Sequence, residues 1–168
     1  MGAGSAVIGE TAAMLSWWLD ELAHAGDEHL DPSYVEGYER KTGFDPAADV
    51  DLLRAHGLGP ETTLIDIGAG TGVFAIAAAA CGARVIAVDV SPAMTALMRA
   101  KAEALHIDNI EVVDAGFLSY THYGAPVDFV FTRNALHQLP DFWKAIALRR
   151  IGASARFFGA AASCDSTI

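Results

Sequence analysis

The segment LIDIGAGTGVFAI contains the strongest chemical signal of the sequence. A short apolar run ends near Asp66, and Gly68, Gly70 and Gly72 follow at alternate positions. Glycines lack a Cβ atom, so the backbone turns sharply there and a ligand lies directly against it. A glycine-rich turn between a strand and a helix is also common without a ligand, so the interpretation depends on the residues that follow.

Two further acids end the next two β-rich runs. Asp89 ends RVIAVD, where a carboxylate accepts hydrogen bonds from both hydroxyls of a ribose. It also precedes Ser91 and Pro92, a typical helix start, and the two roles are compatible. Asp114 ends NIEVVD, where it would accept from an exocyclic adenine amino group while the Ala115 amide faces a ring nitrogen. An ordinary acidic turn residue is the alternative for Asp114.

These residues lie in an alternation of β-rich runs and helical patterns. The runs TTLIDI, RVIAVDV, NIEVV and PVDFVFT are separated by helices predicted over 71–81 and 91–106 and by a linker. Short apolar strands with crossover helices predict a parallel sheet covered on both faces. Ligands bind such sheets beyond the carboxyl ends of the strands, where the acids and glycines are expected.

A helical cap is predicted before the sheet. Apolar residues at helical spacing predict an amphipathic helix over 10–24, and Asp45 with Pro46 predicts a second helix that ends at Gly57. The aromatic residues of this region, Trp17, Tyr34 and Tyr38, either form part of a lid or pack the cap against the sheet.

The sequence after the fourth strand predicts one more helix over 141–150. Its packed side is expected to carry Phe142, Ile146 and Arg150, and a short strand is expected over 156–158.

Composition favours one soluble domain and narrows its partners. The 168-residue chain has a net charge of −10, and no stripe of Lys and Arg offsets it beyond short pairs such as Arg149 and Arg150, which argues against a nucleic-acid partner. The longest apolar run, 73–81, is about half the roughly 20 residues that a membrane helix needs. Two cysteines form no disulfide framework, and the histidines lack metal-ligand spacing, so we predict a cytoplasmic protein without a metal.

The motifs LIDIGAGTG, VIAVDVSPAM, EVVDAGF and VDFVFTRNALHQL resemble those of class I S-adenosylmethionine-dependent methyltransferases over residues 34–150. The resemblance implies that the glycine turn holds the methionine part of the cofactor, Asp89 the ribose and Asp114 the adenine. It implies S-adenosylhomocysteine as product. A small-molecule acceptor is the default expectation, given the acidic composition and the absence of any nucleic-acid or protein-docking module. The full set of cofactor-binding residues that the resemblance suggests is Asp66, Gly68, Ala69, Gly70, Gly72, Asp89, Val90, Met94, Asp114, Ala115, Arg133 and Asn134.

A dinucleotide-dependent oxidoreductase is the nearest competitor. Its fingerprint requires a glycine three positions after the second one, where this sequence has Val73. Asp66 would also repel a pyrophosphate, whereas it suits an ammonium or sulfonium ligand. For a methyltransferase, His137 is the candidate general base, and a loop histidine bonded to backbone is the alternative.

The resemblance divides the chain into a cap (1–45), an S-adenosylmethionine-binding Rossmann-like domain (46–150) and an atypical tail (151–168). The tail lacks the turn into a fifth strand that the family implies, so the expected fold is an incomplete class I sheet, doubly wound and mostly parallel. An open sheet edge would favour a homodimer. A cofactor-binding protein without catalysis, or a subunit completed by a partner, is therefore the alternative function.

Overall fold

The computed structural model of the protein describes residues 17–156. At its centre lies a four-stranded sheet in which all neighbouring strands are parallel. The strands are β1 (Thr63–Ile67), β2 (Arg84–Asp89), β3 (Ile110–Asp114) and β4 (Phe129–Phe131), in the spatial order β3-β2-β1-β4. The predicted Rossmann-like α/β fold is confirmed.

The two central strands are buried along almost their whole length. Of β1 only Thr63 reaches partial exposure, and of β2 only Arg84 and Asp89 do, at its two ends. A strand covered on both faces disfavours polar side chains, which explains the largely apolar runs, and Asp66, next to the last residue of β1, is the exception. At the sheet edge β3 is partly exposed along its length.

Helices cover both faces of the sheet. In chain order they are α1 (Glu21–His24), α2 (Asp27–Leu30), α3 (Pro32–Thr42), α4 (Ala47–Ala55), α5 (Val73–Ala80), α6 (Pro92–Ala104) and α7 (Asp141–Ser154), with a 3-10 turn at Leu136–Gln138. One core layer joins the sheet to Val50 of α4, Phe74 of α5 and Met98 of α6. The other joins it to α7 through Trp143 and to the loop after β3 through Phe117.

The prediction of one helix over 10–24 is wrong for its described part. The helix begins only at Glu21, and Trp17 and Trp18 lie in a turn and a bend. Asp20 has extended backbone angles, and its carboxylate accepts from the amides of Leu22 at 3.1 Å and Ala23 at 3.3 Å. This N-cap starts a helix at that point. Residues 10–16 lie outside the described residues.

Helix α3 was not predicted, because its sequence is rich in residues that favour turns. Asp31 caps it by accepting from the Ser33 amide at 2.8 Å, and Pro32 occupies the first turn. Gly43 ends it in the left-handed conformation, with φ of 57°. Proline at the start and glycine after the end are helix boundary signals, so the sequence did contain the information.

Helix α7 is longer than predicted and rotated relative to the predicted packing face. Its buried residues are Trp143, Ala147 and Ile151, whereas Phe142 is 63% exposed. The predicted face was therefore displaced by one residue, because Phe142 and Trp143 are both large and apolar and the pattern around them is ambiguous. After α7, Ala155 forms a single parallel bridge with Val127. Of the predicted strand over 156–158 the structure describes only Arg156, which lies in a bend, and residues 157 and 158 lie outside the described residues.

Candidate active site at the strand ends

One cleft of about 750 Å³, including its open mouth, runs along the carboxyl ends of the four strands. The predicted residues that line it are Gly68, Gly70, Asp89, Val90, Met94, Arg133 and Asn134. A second hollow shares the glycine turn and adds Asp66 and Ala69. Gly72, Asp114, Ala115 and His137 line neither hollow.

The three glycines of the turn are required for two different reasons, close packing and open space. Gly68, Gly70 and Gly72 all have positive φ, at 77°, 57° and 81°. A Cβ atom on Gly68 would lie 2.2 Å from the Ala135 Cβ atom, and one on Gly72 would lie 2.3 Å from Met98 Cγ. A Cβ atom on Gly70 would meet nothing within 4 Å. The outer glycines therefore serve packing, while Gly70 leaves open space beside the cleft.

Asp89 connects the glycine turn to the loop after β2. One carboxylate oxygen accepts from the Gly70 amide at 2.8 Å, and the other accepts from the Ser91 amide at 2.9 Å. Burial raises the pKa of Asp89, although the amides of Ser91 and Gly70 and the nearby His29 act in the opposite direction. The Val90 amide also lowers this pKa by hydrogen bonding, and acceptor positions remain because a carboxylate has about four lone-pair sites. The predicted helix N-cap at Ser91 is also present, since Ser91 Oγ accepts from the Met94 amide at 3.2 Å.

Asp66 is a buried carboxyl group at the end of β1. It is 2% exposed, and within residues 17–156 no hydrogen-bond donor acts on its carboxyl group. Burial, followed by the negative charge of Asp89, raises its pKa to about 8. A cationic ligand group in the adjoining hollow would relieve both effects.

Arg133 and Asn134, which follow β4, border both hollows. Arg133 Nη1 donates to Asp49 Oδ2 at 2.6 Å, and its guanidinium lies 4.7 Å from the centre of the Phe44 ring. The helical cap therefore holds Arg133 in place. Asn134 has a φ of 51°, which asparagine tolerates better than most residues and which turns the chain into the cleft wall.

The end of β3 differs from the prediction. Asp114 accepts from Thr95 Oγ1 and pairs with Arg99 at 2.9 Å, and these interactions lower its pKa. The Ala115 amide donates to the Asp89 carbonyl oxygen at 3.0 Å, so this N–H is engaged within the sheet, and the predicted role of Ala115 in cofactor binding stays a prediction. Sheet pairing extends one residue further than expected and uses that donor. The adenine role of Asp114 stays a prediction, and its carboxylate lies outside the cleft lining.

His137 lies on the 3-10 turn after β4 and is exposed. Its neighbour Gln138 lines the cleft, whereas His137 does not. Its role as general base stays a prediction.

The cap contributes residues to the cleft that sequence reasoning mostly missed. Glu21, His24 and His29 line it together with Tyr38, the one aromatic residue of the suggested lid that does so. No local pattern marks these residues, since only the folded cap brings them to the strand ends. Trp17 instead stacks on Trp143 with a centroid distance of 6.0 Å.

Polar contacts attach the helical cap to the turn after β1 and to the loop after β2. Ser91 Oγ donates to the His29 carbonyl oxygen at 2.6 Å. Glu39 accepts from Thr71 Oγ1 at 2.5 Å and pairs with Lys101, which also donates to the Thr71 carbonyl at 2.9 Å. Burial lowers the pKa of Lys101. The cap is thus fixed over the glycine turn and over the start of α6.

Two further properties concern the described residues only. None of their helices is both long and apolar enough to cross a membrane. No group of three or more His, Cys, Asp or Glu side chains among residues 17–156 is arranged to hold a metal ion.

The parallel sheet, the glycine turn after β1 and the partly buried acid at the end of β2 define a Rossmann-like domain with a ligand cleft at its strand ends. The family model of the methyltransferase domain matches residues 64–156, more than half of the chain. The chain therefore belongs to the methyltransferase domain family, in its class I, Rossmann-like form. This match decides against the oxidoreductase family.

Solved structures with the same fold agree with this assignment. An S-adenosylmethionine-dependent methyltransferase from Aquifex aeolicus is 26% identical over 72% of this chain and 66% of its own, with a TM-score of 0.57. Magnesium protoporphyrin IX methyltransferase from Synechocystis PCC 6803, with bound S-adenosylmethionine, is 20% identical over 84% and 75%, with a TM-score of 0.68.

Phosphoethanolamine N-methyltransferase 1 from Haemonchus contortus, in complex with phosphoethanolamine and S-adenosylhomocysteine, is 25% identical. The similarity covers 68% of this chain and 24% of that chain, with a TM-score of 0.58. This chain thus spans between about a quarter and three quarters of the length of these three structures.

Proposed function

We propose that this chain binds S-adenosylmethionine in the strand-end cleft and transfers its methyl group to a small-molecule acceptor. The observation that carries the proposal is the arrangement of Asp89, a partly buried carboxylate fixed by the Gly70 and Ser91 amides beside a turn that leaves space at Gly70. Two of the similar structures support it, since one holds bound S-adenosylmethionine and another holds S-adenosylhomocysteine.

The residues of the cleft fit the parts of this cofactor. Asp89 has free acceptor positions for two ribose hydroxyls, and Val90 and Met94 present apolar surface to a planar base. Asp66 adds a buried acid without a donor, which matches the positive charges of the amino acid and the sulfur. Arg133 and Asn134 border the same end of the cleft.

The bound cofactor would supply a methyl group already activated by positively charged sulfur. The protein then has to hold the acceptor in line with that methyl group and exclude water, which accounts for most of the rate. The cap residues His24 and His29 and the loop residues Gln138 and Leu139 surround the remaining part of the cleft.

A ligand panel tests the proposal. Thermal denaturation is measured with S-adenosylmethionine, S-adenosylhomocysteine, NAD and NADP. Either adenosyl ligand at 100 times its dissociation constant should stabilise the protein by about 2.7 kcal/mol, and the dinucleotides should not. Stabilisation by NAD or NADP alone would contradict the proposal.

Binding and turnover are then separated. A panel of amine, hydroxyl and carboxyl acceptors with isotopically labelled methyl donor tests transfer. Tight cofactor binding without transfer to any of them would favour the alternative of a binding protein or a partner-completed subunit.

A further inference from the structure

Between the ends of β2 and β3 the cleft has mainly apolar lining. Val90, Met94 and Phe117 line this part, and Met94 and Phe117 are 3% and 7% exposed. Apolar walls suit the faces of a planar heterocycle, which needs polar partners only along its edge. If the proposed cofactor binds here, its adenine ring occupies this position.

The expected edge partners on β3 make other contacts. Asp114 binds Thr95 and Arg99 outside the cleft lining. The Ala115 amide donates to the Asp89 carbonyl, and the next amide, of Gly116, donates to Ser119 Oγ at 2.7 Å. The exocyclic amino group of adenine therefore needs an acceptor from another element.

Glu21 of the cap supplies a carboxylate at this position. Its side chain is one of the cleft-lining groups, although the residue is only 9% exposed. Oε2 accepts from the Ser119 amide and hydroxyl, both at 3.0 Å, which fixes the orientation of the group. Oε1 lies close above Gly116, where an added Cβ atom would come within 2.5 Å of it. Within the described residues no donor binds Oε1.

We propose that Glu21, rather than Asp114, recognises the exocyclic amino group of the adenine ring. The inference rests on the proposed function, because it assigns one contact of that cofactor. A carboxylate oxygen accepts from an amino group, whereas it repels a carbonyl oxygen in the same place. Glu21 lies outside the segment that matches the family, residues 64–156, so this selectivity comes from the cap of this chain.

The test compares two ligands that differ at this one group. S-adenosylhomocysteine carries the 6-amino group, and its deaminated analogue S-inosylhomocysteine carries a 6-oxo group. Calorimetry gives the ratio of their dissociation constants for the wild type, Glu21→Gln, Asp114→Asn and the matched surface control Glu103→Gln, whose residue is exposed on α6. The ratio cancels any loss of affinity that affects both ligands equally.

The wild type should prefer the amino ligand by about tenfold or more, the usual size of a hydrogen bond to a charged group. Glu21→Gln should bring the ratio close to one, because an amide offers both a donor and an acceptor. Asp114→Asn and Glu103→Gln should keep the wild-type ratio.

A second variant leaves Glu21 chemically intact. Gly116→Ala should also reduce the ratio, because the new methyl group displaces the Glu21 carboxylate. An unchanged ratio in both Glu21→Gln and Gly116→Ala, or a collapse in Asp114→Asn instead, overturns the assignment. If the wild type binds neither ligand, the proposed function itself fails and the assignment with it.

Discussion

The ends of β2 and β3 carry the same residue at the same level of the sheet, yet they differ in environment. Asp89 and Asp114 are partners in the parallel register. Asp89 is at the end of a central strand, lines the cleft and binds two backbone amides. Asp114 is at the end of an edge strand and binds Arg99 and Thr95. An acid after a β-strand therefore predicts a polar strand end, while its position in the sheet decides which partner it meets.

The same difference appears in the titration of the two groups. Burial raises the pKa of Asp89, whereas hydrogen bonds from Arg99 and Thr95 lower the pKa of Asp114. Asp66, at the end of the other central strand, behaves like Asp89, because burial raises its pKa as well, to about 8. The central strand ends are thus poised for a cation, and the edge strand end is already neutralised.

The largest expected effect is the pH dependence of the free energy of unfolding that Asp66 causes. An unfolded chain loses this proton near its ordinary pKa of 3.8, and the folded ligand-free protein keeps it up to about 8. The free energy of unfolding should therefore fall with rising pH between these values, by roughly 1.4 kcal/mol per unit. Asp66→Asn removes this dependence, so its stability relative to wild type should rise by about 3 kcal/mol from pH 5 to pH 7.

Urea denaturation of both proteins at the two pH values measures this change. Asp108→Asn, at an exposed loop position, is the matched control. Equal pH slopes for wild type and Asp66→Asn would show that Asp66 is ionised in the folded protein.

The next effect concerns ligand affinity at the two register partners. Asp89→Ala should remove charge-assisted hydrogen bonds to the ribose worth about 1.5–3 kcal/mol, hence roughly ten- to hundredfold in the dissociation constant of S-adenosylhomocysteine. Asp114→Ala should weaken binding much less. Calorimetry measures both, and equal losses for the two variants would break the comparison.

Two glycines of the turn separate packing from ligand space at the end of β1. Both Gly68→Ala and Gly70→Ala strain a positive φ, but only the first places a methyl group against Ala135. Gly68→Ala should be about 2 kcal/mol more destabilising than Gly70→Ala in chemical denaturation. Gly70→Ala should show its main loss in ligand affinity, and the reverse pattern would contradict these roles.

The smallest expected effect is the loss of stability on replacing Asp114 at the end of the edge strand β3. Asp114→Ala should cost about 0.5 kcal/mol, because exposed ion pairs are screened by solvent. Since the folded pKa of Asp114 is lowered, its contribution is present above its ordinary pKa and is lost as the pH falls through the folded value. A double-mutant cycle with Arg99→Ala measures the coupling, which should shrink in high salt. A coupling several times larger would show that the Arg99–Asp114 pair is not screened by solvent as its exposure implies.

Sequence reasoning identified those features that local patterns determine. The apolar strands, the glycine turn and the cap formed by Ser91 and Pro92 follow from residue types within a few positions, and the structure has all of them. The helix start at Asp20 was also a local signal, but the apolar spacing around Trp18 and Leu19 obscured it.

Long-range features of the site were beyond such patterns. Glu21 meets Ser119 across 98 positions of the chain, and Arg133 meets Asp49 across 84. No sequence pattern near Asp114 indicates that its carboxylate pairs with Arg99 of the preceding helix instead of lining the cleft. Side-chain direction at a strand end depends on which helix packs beside it, and this is settled only by the assembled fold.

The distance from Asp89 to a bound nucleoside tests the central claim most directly. A crystal structure with S-adenosylhomocysteine should place both ribose hydroxyls within hydrogen-bond distance, about 2.5–3.0 Å, of the Asp89 carboxylate oxygens. The amino-acid end should then lie against Gly70. A nucleoside bound away from Asp89, or a pyrophosphate lying on the glycine turn in a complex with NAD, would contradict the account.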